Sequence, residues 1–302
     1  MQQYFVYGYV LKSNMEFNML TPYQGQQIQG EIQVHVCINN QLIKNNASQN
    51  IQVNYEGDEM FLKIGGIVEY RICPQENKLY ICATDFAWVE STFLNLPFAL
   101  FFSHKNMLLL HASSLIYNNI VIPLCAPKGT GKTTVSLGLS KFYPFYSDDT
   151  LLLKIENGEL MGYYGTKYIK LNKDSYDILI CDDGFEMLYK NVQGKAYVSM
   201  IGNADDGLIR GGVDKLFFLQ REGETVSSER ITNKFNKKIL LHSNICGSGT
   251  LGYEYCKYIE KSSIFKFIIE NFEFIKIIFC NNKERIGTTL GEIKEIIEDS
   301  IK

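Results

Sequence analysis

The stretch Leu124-Cys125-Ala126-Pro127-Lys128-Gly129-Thr130-Gly131-Lys132-Thr133-Thr134 reads as a phosphate-binding loop. An apolar run, Ile120-Val121-Ile122-Pro123-Leu124, precedes it with the look of a buried strand. The segment from Thr133 to Phe142 follows, with apolar residues at Val135, Leu137 and Leu139 and a helical start. Strand, glycine loop and helix is the context such a loop requires. Gly129 and Gly131 can take backbone angles closed to other residues, so successive N–H groups can turn toward phosphate oxygens. The helix start adds its positive dipole end, Lys132 a mobile cation and Thr133 a hydroxyl ligand for Mg²⁺. Ala126 stands where such loops usually carry their first glycine.

Working outward, Ser147-Asp148-Asp149 lies about sixteen residues beyond Lys132, at the start of the next expected strand. A carboxylate there sits at the end of a sheet beside the phosphates, where it can hold Mg²⁺ directly or through water. Adjacent acids on a strand point to opposite faces, so one can serve the metal while the other approaches a hydroxyl. The residues do not say which does which. Upstream, His111 is expected in mid-strand within Leu108 to Ile116, where a lone histidine is more often a core residue than a catalytic one. Lys170 and Arg210 are candidate cations for a phosphoryl site, though a solvated charge is at least as good a reading of each. Asp182-Asp183-Gly184 and Asp205-Asp206-Gly207 are above all turn compositions.

The 302-residue chain has room for one large domain or two modest ones. Its 30 basic and 33 acidic residues are nearly balanced, so no basic patch points to nucleic acid or to a membrane surface as partner. Eight cysteines are scattered singly, without metal-ligand spacing, as expected of free thiols in a reducing cytosol. The start Met1-Gln2-Gln3-Tyr4-Phe5-Val6 lacks the pattern of a signal peptide. Thr92 to Phe102 is shorter than the roughly 20 residues a bilayer span takes, and Ile264 to Cys280 is interrupted by charges. The expected location is the cytoplasm.

Residues 1 to about 90 alternate β-like runs with polar turns: Tyr4 to Tyr7, Ile32 to Val36, Ile51 to Tyr55, Met60 to Ile64, Ile67 to Ile72 and Leu79 to Cys82. Gly57-Asp58 and Gly65-Gly66 punctuate them as turns. A mostly antiparallel sheet is expected, followed by one helix over Asp85 to Phe102. Beyond Leu108 come a tight turn at Tyr117-Asn118-Asn119, a hairpin turn at Glu156-Asn157-Gly158-Glu159, and strands at Ala196 to Met200, Lys215 to Leu219 and Phe274 to Phe279. Helices are expected around Ser262 to Phe272 and Leu290 to Ile301.

In order and spacing, His111-Ala112-Ser113-Ser114, the short turn, Ala126 to Thr134 and Ser147-Asp148-Asp149 resemble the catalytic domain of the HPr kinase/phosphorylase family, including its peptide-kinase relatives of modified-peptide biosynthesis. Tyr163 to Ser175 and Lys215 to Gly223 resemble later family segments. The resemblance implies a mixed α/β fold with a phosphoenolpyruvate-carboxykinase-like nucleotide-binding core. It implies a β-rich module with a terminal helix over residues 1–104, and a kinase domain with a helical C-terminal part over 105–302. It further implies ATP with Mg²⁺, GTP being left open, and transfer of the γ-phosphoryl group to a serine-type hydroxyl. Ala126, Pro127, Lys128, Gly129, Thr130, Gly131, Lys132, Thr133 and Thr134 would bind nucleotide, and Thr133 with Asp148 the metal. Asp149, Asp148 and His111 would be catalytic.

The chain lacks a match to the second glycine-rich signature of the bifunctional enzymes, so neither HPr as acceptor nor phosphorolysis follows from the resemblance. A precursor peptide suits the N-terminal module better, because an exposed sheet edge can take an extended peptide as a further strand. Two alternatives stand beside it: a kinase for a small metabolite such as free serine, and a nucleotide-binding module without transfer. A homo-oligomer is open to either.

Overall fold

The structure is a computed structural model, and it describes residues 1–26, 28–39, 51–166, 168–171, 185–190, 194, 196–200, 209–222, 224–280 and 286–301. The acidic turns at 182–184 and 205–207 lie outside the described residues. So do the expected segment end at Asp174-Ser175 and Gly223.

The first sheet is built from β1 (Gln2–Val6), β2 (Tyr9–Ser13), β3 (Thr21–Pro22), β4 (Gly30–Ile38), β5 (Ile51–Glu56), β6 (Glu59–Ile64), β7 (Val68–Cys73) and β8 (Lys78–Ala83). Their order is β3-β1-β2-β4-β8-β7-β6-β5. All six β-like runs become strands, but the sheet is mixed: β4 runs parallel to both β2 and β8. In β4, Ile32, Val34 and Val36 are buried while Glu31, Gln33 and Cys37 are exposed, the period of a half-buried strand. Tyr7 (φ 53°) and Gly8 (φ 81°) form the two-residue turn joining β1 to β2.

The expected single helix over Asp85 to Phe102 is two helices. The first, α1 (Phe86–Thr92), is capped by Asp85, whose carboxylate accepts the Ala87 N–H at 2.9 Å. The second, α2 (Leu96–Ser103), restarts with Pro97 in its first turn. Proline suits that position because it needs no N–H there. All residues from Pro97 to Ser103 are buried, so α2 is a core helix rather than a surface one.

A ten-stranded sheet follows. It contains β9 (Leu108–Leu110), β10 (Ala112–Tyr117), β11 (Ile120–Cys125), β12 (Phe145–Ser147), β13 (Leu151–Glu156) and β14 (Glu159–Tyr164). After a separate three-stranded sheet of β15 (Ile169–Leu171), β16 (Phe185–Lys190) and β17 (Ala196–Met200), it resumes with β18 (Arg210–Gly212), β19 (Lys215–Arg221), β20 (Ser227–Ile231) and β21 (Glu273–Phe279). At its centre β19 lies parallel between β11 and β21. These strands are buried on both faces. Leu216, Phe218 and Phe274 enter one core, shared with the first sheet and α2, while Phe217, Leu219 and Ile275 enter the other. That second core is closed by α3 (Lys132–Leu139) and by Ile293 and Ile297 of the last helix.

Among the described residues the remaining helices are α4 (Lys234–Ser243), α5 (Gly252–Lys261), α6 (Ser263–Asn271) and α7 (Ile286–Ile301). The sequence reading anticipated α6 and α7 but not α4 or α5. No helix among the described residues is long and apolar enough to cross a membrane.

Candidate active site

The phosphate-loop sequence leaves the carboxyl end of β11 and enters α3 at Gly131. Gly129 (φ 87°) and Gly131 (φ 97°) occupy the left-handed region, as the sequence reading requires. A Cβ at either would meet nothing within 4 Å, so glycine is needed there for its backbone angle and not for space. Ala126 is buried in the second core, and Pro127, Lys128, Gly129 and Thr134 are exposed along the loop. Thr130 is half-buried.

Strand β10 brings the other residues to this loop. It pairs with β11 on one side, Ala112 facing Cys125, and with β12 on the other, Ser114 facing Ser147. Its first residue therefore starts beside the phosphate loop, and the residues leaving β12 emerge next to both. The predicted strand over Leu108 to Ile116 breaks at this point. Leu108–Leu110 pairs with β13 and Ala112–Tyr117 with β11, and between them the His111 N–H donates to the Asn244 carbonyl at 2.7 Å. His111 thus leaves the ladder and lines the cleft, with 32% of its side chain exposed, instead of sitting mid-strand.

Asp148 and Asp149 also depart from the strand expected of them. They form a bend between β12 and β13, and Asp149 adopts φ 65°. Their side chains diverge through this left-handed residue and not through strand alternation. Asp148 is buried. Its Oδ1 accepts the Ser113 hydroxyl at 2.6 Å and lies 3.3 Å from the Thr133 hydroxyl, while its Oδ2 accepts the Lys170 backbone N–H at 2.9 Å. Asp149 is one-third exposed in the cleft, with Oδ1 3.3 Å from His111 Nδ1 and Oδ2 3.5 Å from Lys170 Nζ.

Lys132 is 8% exposed, and its Nζ lies 3.4 Å from the His111 carbonyl. His111, Lys132, Thr133, Asp148, Asp149 and Lys170 line one cleft of about 760 Å³, which Arg221 at the end of β19 also lines. Arg210 does not join them; it pairs with Glu156.

The electrostatics follow from burial. Burial, then the charge of Asp149, pushes the Asp148 carboxyl up against the Ser113 and Lys170 donors. Burial and the Lys132 charge pull His111 down, opposed by Asp149 and Asp148, which favours the neutral imidazole. Burial also pulls Lys132 down. Lys170 feels the same burial penalty, but Asp149 and the Tyr197 phenol outweigh it and hold its ammonium above the ordinary value.

Among the described residues no three His, Cys, Asp or Glu side chains gather as a metal cage. The candidate Mg²⁺ donors are one hydroxyl and one carboxylate, Thr133 and Asp148. That sparse oxygen set suits Mg²⁺ when waters and substrate phosphates complete its octahedron. The Thr133 hydroxyl and Asp148 Oδ1 lie 3.3 Å apart, so the two would be able to hold one ion together.

The sequence reading weighed Lys170 only as one possible cation and did not single out Ser113 or Arg221. Ser113 pointing from β10 toward the acids could be found only once the β10–β12 pairing was known.

No protein-family model and no curated protein matches this chain. Solved structures do match. One is the Hpr(Ser) kinase/phosphatase from Coxiella burnetii, at 14% identity over 64% of this chain and 93% of that chain, with a TM-score of 0.31. So low a score carries no argument; the chain itself is a mixed α/β fold whose glycine loop, two aspartates, histidine and lysines converge on one cleft.

Proposed function

We propose that the chain is a kinase: an ATP- and Mg²⁺-dependent phosphotransferase acting on a serine-type hydroxyl. The observation that carries this is the divergence of Asp148 and Asp149 at one bend. Asp148 turns to the phosphate-loop hydroxyl of Thr133, and Asp149 turns into the open cleft beside His111 and Lys170. A site that only bound nucleotide would need the first of these acids but not the second.

In this reading the N–H groups around Gly129 and Gly131 and the Lys132 ammonium hold the nucleotide phosphates. Thr133 and Asp148 hold Mg²⁺, which supplies neutralisation of phosphate charge. Asp149 accepts the proton of the acceptor hydroxyl as its oxygen bonds to phosphorus. Lys170 fixes one oxygen of Asp149, and neutral His111 orients the other. A loose phosphoryl-transfer transition state asks for this positioning and charge balance more than for covalent help.

Two acceptor classes follow from the sequence, a peptide or small protein laid on the N-terminal sheet and a small metabolite. A small cavity lined by Asp149 favours the second. Incubation with ATP and Mg²⁺ and a set of acceptors, read as the mass gain of one phosphoryl group, tests the reading. Asp149→Asn should lower transfer by about 10²- to 10⁴-fold while nucleotide affinity stays near wild type. ADP release with no acceptor modified, or full transfer by Asp149→Asn, would overturn it.

A further inference from the structure

Behind Asp149 the cleft continues into a cavity of about 30 Å³, room for one small polar group. Ser91, Asn95, Asp148, Asp149 and Lys170 line both spaces, so the cavity is a side chamber of the same site. Glu90, on α1, lines the chamber but not the cleft. The Glu90 side chain belongs to a residue only 3% exposed, and its carboxylate accepts a single hydrogen bond, from the Asn18 N–H at 2.7 Å. No cation pairs with it among the described residues. Among the described residues, the one lysine lining the chamber, Lys170, has its ammonium against Asp149.

A carboxylate this deep is costly unless a positive partner or several donors compensate it. Among the described residues Glu90 has one donor, the Asn18 N–H, and it lines the chamber. We propose that this chamber takes the ammonium group of the phosphoryl acceptor, with Glu90 as its counter-ion, so that the acceptor is a small amino alcohol or hydroxy amino acid. The inference rests on the phosphotransferase reading of the cleft. An internal serine of a peptide offers only a neutral amide beside its hydroxyl and does not meet Glu90's need. In the step itself, the acceptor O–H proton passes to Asp149 and the oxygen–phosphorus bond forms. The bond from the γ-phosphorus to its bridging oxygen breaks, and the nucleoside diphosphate leaves.

The test uses the full chain with ATP and Mg²⁺ and paired acceptors that differ in the amine: ethanolamine against ethylene glycol, and L-serine against glycerate. The amine-bearing member of each pair should be phosphorylated with kcat/KM at least about tenfold higher, the range of one charge-assisted hydrogen bond. Glu90→Gln keeps an oxygen for the Asn18 N–H, so it should fold and bind nucleotide. It should raise KM for ethanolamine by about 10- to 100-fold and that for ethylene glycol by far less. Equal use of both members of a pair, or a Glu90→Gln effect of the same size on both, overturns the proposal. Transfer confined to peptide serines overturns it while the kinase reading stands. Ethanolamine that raises the melting temperature of wild type but not of Glu90→Gln, with no phosphoryl transfer to any acceptor, supports the chamber and overturns the kinase reading instead.

Discussion

Tyr7→Phe removes one oxygen and should be felt in both halves of the chain. Tyr7 sits in the first hairpin turn, fully buried, and its hydroxyl reaches the Leu94 carbonyl at 2.9 Å and the Thr150 hydroxyl at 2.7 Å. A phenol has one proton; the carbonyl can only accept it, so the Thr150 hydroxyl donates in return. One atom therefore ties the first sheet to the break between α1 and α2 and to the residue after Asp149. The ring packs against Phe98 and Phe102, at centroid distances of 5.5 and 5.3 Å, and would be kept by phenylalanine.

The loss is thus confined to polar groups. With a buried carbonyl and a buried hydroxyl each losing this partner, Tyr7→Phe should destabilise the fold by roughly 2–4 kcal/mol. Urea denaturation measures this, and the double variant with Thr150→Val should show a coupling of about 0.5 kcal/mol or more. Because Thr150 adjoins Asp149, phosphoryl transfer should also fall, by less than in Asp149→Asn, with nucleotide affinity kept. Tyr70→Phe is the control: Tyr70 is likewise buried and its hydroxyl lies 2.6 Å from Thr92 Oγ1, a bond that does not touch the acidic bend. It should lose stability and keep activity. A Tyr7→Phe variant within about 0.5 kcal/mol of wild type, or one indistinguishable in transfer, would refute the reasoning.

Lys132→Met should weaken nucleotide binding by about 10- to 100-fold, measured by calorimetry, because it removes a charged donor from phosphate oxygens. Unchanged affinity would remove Lys132 from the phosphate site. For Asp148, burial and the Asp149 charge raise the folded-state pKa. The folded chain then holds the proton more tightly than the unfolded one, whose value is about 3.9. That stability is complete below the unfolded pKa and is lost as pH rises through the folded one. Metal-free Asp148→Asn should therefore melt above wild type at pH 7, with the gap closing toward pH 4, and should gain nothing from Mg²⁺ with nucleotide. Melting curves that coincide at both pH values would contradict this.

Much of the site was legible in sequence because its rules are local. Glycine at 129 and 131 announces backbone angles that other residues avoid, and the structure has them. Period-2 alternation announces β4 wherever it pairs. Other features resist local reading. Pro97 was a visible helix-start signal, and the two-helix break before it was within reach. The helices α4 and α5 were missed although they carry amphipathic faces, because short polar helices resemble loops in composition.

The amino-acid sequence by itself determined the donor side of this protein. A strand, a glycine loop and a helix follow one another within some twenty residues, and chain connectivity alone brings their N–H groups, lysine and hydroxyl together. The acceptor side was decided by tertiary structure. His111 leaves its strand because its N–H bonds to Asn244, more than a hundred residues away. Asp149 points into the cleft because the chain turns left-handed there to pass from β12 to β13. Lys170 and Glu90, eighty residues apart in sequence, come to line one chamber with Asp149. No periodicity encodes such meetings, since they depend on which strands pair and which helix is packed beneath them.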